Sequence, residues 1–169
     1  IESLSIVPML AMGNAMSTFT AQNMGAGKID RVKEGYRMCY VIVLTAGAVL
    51  CVMYQLAGGA FVSLFLDSGS SEAYSVGLSY VKFLSFFYSF IGLKASTDGL
   101  LRGAGDVTAF TVANLVNLAI RVSVTNLFAP IYGIQVAWMA VPLGWAANYV
   151  ISFGWYLTGK WKKVRVIKK

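Results

Sequence analysis

Five long apolar stretches separated by short polar joints constrain this chain more than anything else in it. The hydrocarbon core of a bilayer is about 30 Å thick and takes roughly 20 helical residues to cross. Leu4–Met24, Tyr36–Leu56, Val76–Leu101, Val107–Phe128 and Gly133–Leu157 each meet that length. A segment inside hydrocarbon must satisfy its own backbone hydrogen bonds, and runs of this length do so as helices. Only 12% of the 169 residues are charged, too few to cover a soluble domain, where about 25% is usual. The predicted fold is therefore all-α: about five transmembrane helices, then a basic tail over 158–169. Between the second and third spans, Gly58–Ser75 contains an apolar piece, Phe61–Leu66, and a polar run from Asp67 to Ser71. A brief interfacial helix and a turn are expected there.

Several function classes fall away early. The chain has no His, which removes triads built on it and most zinc sites. Neither an acidic pair at metal-ligand spacing nor a Ser–Lys arrangement points to a membrane-embedded enzyme, and no cofactor is implied. Cys39 and Cys51 sit twelve residues apart in one helical run, about 18 Å by helical rise, too far for a disulfide. The net charge of +7 does not indicate nucleic acid, because the basic residues cluster at span ends. Lys28, Arg31, Lys33 and Arg37 fill one joint, and Lys160, Lys162, Lys163, Arg165, Lys168 and Lys169 crowd the C-terminus. Such flanks contact anionic lipid on the cytoplasmic face.

That distribution also sets the expected topology. The joints at 57–75 and 129–132 contain no Lys or Arg, so by the positive-inside rule they lie outside and the C-terminus is cytoplasmic. Trp155 and Trp161 at the inner end of the last span, with Tyr132 at its outer end, suit an aromatic belt. Pro142 within that span, and Pro8 and Gly13 in the first, are expected to bend or weaken their helices, as packing kinks or as a gating hinge. The first residue is Ile rather than Met, so the chain is expected to continue upstream.

Two span exits echo one another: Gln22-Asn-Met-Gly-Ala-Gly-Lys-Ile-Asp-Arg and Gly99-Leu-Leu-Arg-Gly-Ala-Gly-Asp-Val-Thr. Glycine at a helix C-terminus permits a left-handed cap, and recurrence two helices later suggests a hairpin repeat. The Gly25-Ala-Gly-Lys28 stretch lacks the spacing of a nucleotide-binding loop.

These residues carry a family resemblance. The stretch from Pro8 to Lys28, with Asp30-Arg31 after it, resembles the eighth helix and following loop of multidrug and toxic compound extrusion (MATE) transporters. Gly99-Leu-Leu-Arg-Gly-Ala-Gly-Asp106 is similar to the end of their tenth helix. Asn117-Leu-Ala-Ile-Arg121 and Tyr132-Gly-Ile-Gln-Val-Ala-Trp138 are similar to the eleventh helix and the start of the twelfth. The resemblance implies most of the C-terminal bundle of a twelve-helix antiporter in the cell's inner membrane, with the N-terminal bundle as its missing partner. It further implies export of organic cations or other amphipathic small molecules in exchange for H⁺ or Na⁺. A lipid-linked oligosaccharide flippase of the same broader superfamily, and a scaffold that moves no solute, are the alternatives.

Polar groups inside the spans are the candidate functional residues, because they are costly in hydrocarbon unless paired or hydrated. Asn114, Asn117, Arg121 and Thr125 recur at helical spacing and form one polar stripe, a candidate cavity wall together with Gln22 of the polar first span. Arg121 either orients substrate or holds a gate, or it bonds neighbouring carbonyls and reaches for the outer interface. Lys94, Asp98 and Arg102 lie four residues apart, so Asp98 can pair with either neighbour. They form either an interfacial ion-pair ladder or a proton-linked switch centred on Asp98, with Pro142 as a gating candidate. Lys82 is expected to snorkel to the outer interface. Met9, Met12, Met16 and Met24 suit either packing or a promiscuous binding surface.

Overall fold

A computed structural model describes residues 2–66 and 72–163. The expected polar turn at 67–71 and the tail beyond 163 lie outside these described residues. Six α-helices account for most of the chain: α1 (Glu2–Gly25), α2 (Ile29–Ser63), α3 (Glu72–Ser85), α4 (Tyr88–Gly103), α5 (Val107–Tyr132) and α6 (Ile134–Leu157). A 3₁₀ turn, Lys160–Lys163, follows. Helices α1, α2, α5 and α6 are each long and apolar enough to cross a membrane, and α3 and α4 meet that test only when taken together across their bend, which gives four spans, or five if the bent pair counts as one. The described residues bear out the all-helical reading.

Two boundaries differ from the expectation. Helix α2 does not stop near Leu56 but continues through Gly58, Gly59 and the first half of the apolar piece expected as an interfacial helix, ending at Ser63. Gly58 packs on Leu78 and the Lys82 stem of α3, and Gly59 lies close to Tyr74. Packing against α3 thus holds the double glycine in helical form. The third span is bent by 52° between α3 and α4. The Lys82 carbonyl, which a continuous helix would present to the Phe86 amide, instead accepts from Ser85 Oγ at 2.7 Å and from Gln55 Nε2 of α2 at 2.9 Å. Side chains that compete for a backbone acceptor in this way interrupt a helix. The chain restarts through a tight turn in which the Phe87 amide bonds the Leu84 carbonyl at 2.9 Å.

Helices α1 and α4 run parallel and touch through backbone. A Cβ built on Gly99 would lie 2.1 Å from the Gly13 carbonyl oxygen, one on Gly13 would lie 2.6 Å from that of Ala95, and one on Gly103 would lie 2.2 Å from that of Ser17. Lipid offers no hydrophobic drive for helix association, so close approach at small residues supplies the van der Waals contact. Gly13 is thus a contact point within an unbroken α1 that also runs through Pro8, and α6 likewise runs unbroken through Pro142. Met9 and Met16 are buried in the core beside Val43, Tyr88 and Leu100, as packing residues.

The two echoed exits close alike. After α1, Gly27 has φ of 70° and the Lys28 amide bonds the Asn23 carbonyl; after α4, Gly105 has φ of 84° and the Asp106 amide bonds the Leu101 carbonyl. Both are Schellman caps, in which the left-handed residue must be one without a Cβ penalty. Asp106 then caps α5 by accepting from the Ala109 amide.

The start of α2 meets the end of α6 through the Tyr36 and Tyr156 rings, 4.6 Å apart, and the end of α6 meets the start of α5 through Trp155 and Asp106. The basic joint after α1, Arg102 and Lys160 therefore share one end of the bundle. Trp161 is not a belt residue: it is 0% exposed, stacked on Tyr156 and bonded to that residue's carbonyl. Both cysteines are free.

Candidate functional site

The site grows from one helical turn of α4. Residues four apart on a helix share a face, and Lys94 Nζ donates to Asp98 Oδ2 at 2.9 Å. Of the two neighbours that could have paired with Asp98, Lys94 does so. Arg102 turns away to α1, where Nη2 donates to Asn14 Oδ1 at 2.8 Å, Nε to Ser17 Oγ at 3.4 Å, and the guanidinium lies over the Phe110 ring. The expected three-residue ladder is not formed.

The Asp98 pair is held by two other helices. From α5, Asn114 offers its carbonyl oxygen to Lys94 Nζ at 3.1 Å, while its amide nitrogen donates to the Phe110 carbonyl at 2.8 Å. From α6, Ser152 Oγ donates to Asp98 Oδ1 at 2.6 Å. Asn148 lies one turn earlier, 0% exposed, and its Nδ2 has no partner among the described residues. Asp98 is 4% exposed and sits five residues from the end of α4, about 8 Å by helical rise. It is thus inside the bundle and not at its rim.

A cleft of about 190 Å³ opens on this pair between α1, α4 and α5, lined by Asn14, Lys94, Asp98, Arg102, Phe110 and Asn114 among others. Ions buried away from water are stable only when paired and hydrogen-bonded, and Asp98 meets both conditions. The cleft gives one side of the pair an opening. This combination ties three helices together around one charged pair.

The other candidates separate. Of the stripe on α5, Asn114 joins the Asp98 network. Asn117 and Arg121 instead pack on α6 over Gly144, where an added Cβ would meet Asn117 Oδ1 and the Arg121 stem. Asn117 Oδ1 is buried without a partner among the described residues, Arg121 is exposed and Thr125 is half-buried. The side chain of Gln22 is exposed. Pro142 lines a small apolar pocket with Phe87, Phe90 and Met139, beside the break between α3 and α4. Lys82 lies along α2 at Gly58.

Sequence reasoning missed Ser152 and Asn148, although a polar pair four residues apart in the last apolar span was a visible signal. It also missed a hydroxyl cluster on a neighbouring face of α4. There Thr97 bonds Tyr36 at 2.7 Å and Tyr40 at 2.9 Å, Tyr36 and Tyr40 bond each other, and Tyr40 reaches Tyr149. Thr97 and Asp98 are adjacent, so α4 is polar on two sides at this level.

A bundle of apolar helices with an ion pair buried at a three-helix junction defines a polytopic membrane protein. Its family follows from comparison: the MatE family model matches residues 1–141, and the chain belongs to that family. It is 28% identical to the Bacillus subtilis probable multidrug resistance protein YpnP across 98% of this chain and 37% of that protein. It is 21% identical to the Thermotoga maritima probable multidrug resistance protein NorM across 100% of this chain and 37% of that one. The chain therefore spans little more than a third of these relatives. Its fold matches a solved structure described as an inward-facing multidrug resistance MATE family transporter of the MOP superfamily. The TM-score is 0.80 at 17% identity, over 89% of this chain and 34% of that one.

Proposed function

We propose that this chain forms helices eight to twelve of a secondary antiporter, which exports organic cations or other amphipathic compounds in exchange for H⁺ or Na⁺ by alternating access. The observation that carries the reading is the buried Asp98, bound by Lys94 on its own helix and Ser152 on α6, with Asn114 of α5 on the same ammonium and a cleft alongside. A transporter couples two movements through an element with two arrangements that its ligands bias differently. Discharging the carboxylate removes the reason for Lys94 and Ser152 to converge on it, which loosens α4 from α6. The family's multidrug resistance relatives support the substrate class. The pairing of Lys94 with Asp98 offsets its charge at the cleft it lines, which favours drug export over the pyrophosphate cargo of a flippase.

In this reading the end of the bundle that carries the basic joint, Arg102 and Lys160 faces the cytoplasm, by the positive-inside rule. The protein acts in the cell membrane with its N-terminal bundle as partner. It has no enzymatic step, cofactor or nucleic-acid partner. The test is accumulation of a cationic dye in cells that produce the complete protein, wild type against Asp98→Asn at equal membrane abundance. The variant should accumulate dye like cells without the protein; wild-type export by Asp98→Asn would overturn the role given to this carboxylate.

A further inference from the structure

The ammonium of Lys94 occupies a place built for a cation. It sits between a carboxylate oxygen of α4 and an amide oxygen of α5, Asp98 Oδ2 at 2.9 Å and Asn114 Oδ1 at 3.1 Å. Asn114 turns its carbonyl toward the ammonium while its amide nitrogen donates to the Phe110 carbonyl at 2.8 Å and, more weakly, to Asp98 Oδ2 at 3.4 Å. The second oxygen of Asp98 is held by Ser152. Carboxylate and carbonyl oxygens are the donors that hard metal cations prefer. With a single carboxylate, and Arg102 lining the same cleft, the charge suits one positive unit and not two. Beside it lies a cleft of about 190 Å³, enough for several waters at about 30 Å³ each.

Resting on the antiporter reading above, we propose that Lys94 is a tethered cation that fills a monovalent metal site formed by Asp98 and Asn114, with Ser152 orienting the carboxylate. The side chain is long enough to place its charge where a Na⁺ would bind, and its attachment to α4 gives it a high effective concentration against free Na⁺. Wild-type transport is therefore indifferent to Na⁺ at this site. Shortening Lys94 empties the position while keeping the oxygens, and creates a Na⁺ response the natural protein lacks.

The test uses the complete protein, wild type and Lys94→Ala, in NaCl or in choline chloride of equal ionic strength. Thermal unfolding in detergent is the first readout. Na⁺ at about ten times its dissociation constant should raise the Lys94→Ala midpoint by about 2 °C over choline and leave the wild type unmoved. The second readout is efflux from proteoliposomes, where an inward Na⁺ gradient should accelerate Lys94→Ala and not the wild type. Lys94→Ser, which also shortens the side chain and empties the position, is run alongside in case the alanine variant does not fold. Equal midpoints in NaCl and choline for the folded variants would overturn the inference, as would a wild type whose midpoint rises in Na⁺. A wild type with no ion-driven efflux would instead count against the antiporter reading, since the thermal readout requires no transport.

Discussion

Gly99→Ala is the substitution with the most direct structural consequence. The added methyl would stand 2.1 Å from the Gly13 carbonyl oxygen, 3.0 Å from its carbon and 3.2 Å from its Cα. All three belong to the backbone of α1, so no side chain can swing aside, and α1 must move away from α4 by about 1 Å to restore contact near 3.3 Å. Overpacking of this kind costs about 1–3 kcal/mol, against which alanine returns up to about 1 kcal/mol of helix propensity. The net expectation is a loss of about 1–2 kcal/mol, or several degrees in the unfolding midpoint. Gly25→Ala is the matched control: it lies on the last turn of α1 with nothing within 4 Å of an added Cβ. It should hold or raise the midpoint. Thermal unfolding of both variants in detergent checks the pair, and a Gly99→Ala protein as stable as Gly25→Ala would refute the close α1–α4 contact.

Three more outcomes follow from the site. Ser152→Ala removes the hydroxyl on Asp98 Oδ1 at 2.6 Å and should cost about 1.5–3 kcal/mol, the usual range for bonds to charged groups, read in the same unfolding assay. Asp98→Leu should destabilise by about 3–5 kcal/mol because it strands the ammonium, and Lys94→Met combined with it should recover most of that without restoring dye export. Arg102→Lys loses the guanidinium fork to Asn14 and Ser17; because Arg102 is exposed, the midpoint should fall by no more than about 1 kcal/mol equivalent.

What the sequence disclosed, and what it withheld, divides along physical lines. Features set by local chemistry were legible: the lengths of α1, α5 and α6, the left-handed caps at Gly27 and Gly105, and the four-residue spacing that brings Lys94 to Asp98. Features set by a partner helix were not. The second span was expected to end near Leu56, short of Gly58-Gly59, because the packing of those glycines on α3 cannot be seen in the residues themselves. The bend between α3 and α4 needs Gln55 from α2 to take the Lys82 carbonyl, a contact between residues 27 positions apart in the sequence. The site shows the same division. Asn114 and Asp98 stood out as polar groups in apolar spans, but their joining through Lys94, with Ser152 arriving from α6, depends on how three helices pack. Trp161 was misplaced for the same reason, since an indole near a span end suits a membrane belt until a Tyr156 ring is found beneath it.

The central claim is that Asp98 couples an ion gradient to export. The most direct measurement reconstitutes the complete protein in liposomes, imposes a pH gradient, and follows a cationic dye and internal pH together. Wild-type protein should move dye and protons in opposite directions, and Asp98→Asn should lose both movements together. Dye transport that proceeds equally without the gradient, or survives in Asp98→Asn with its proton movement intact, would contradict the account.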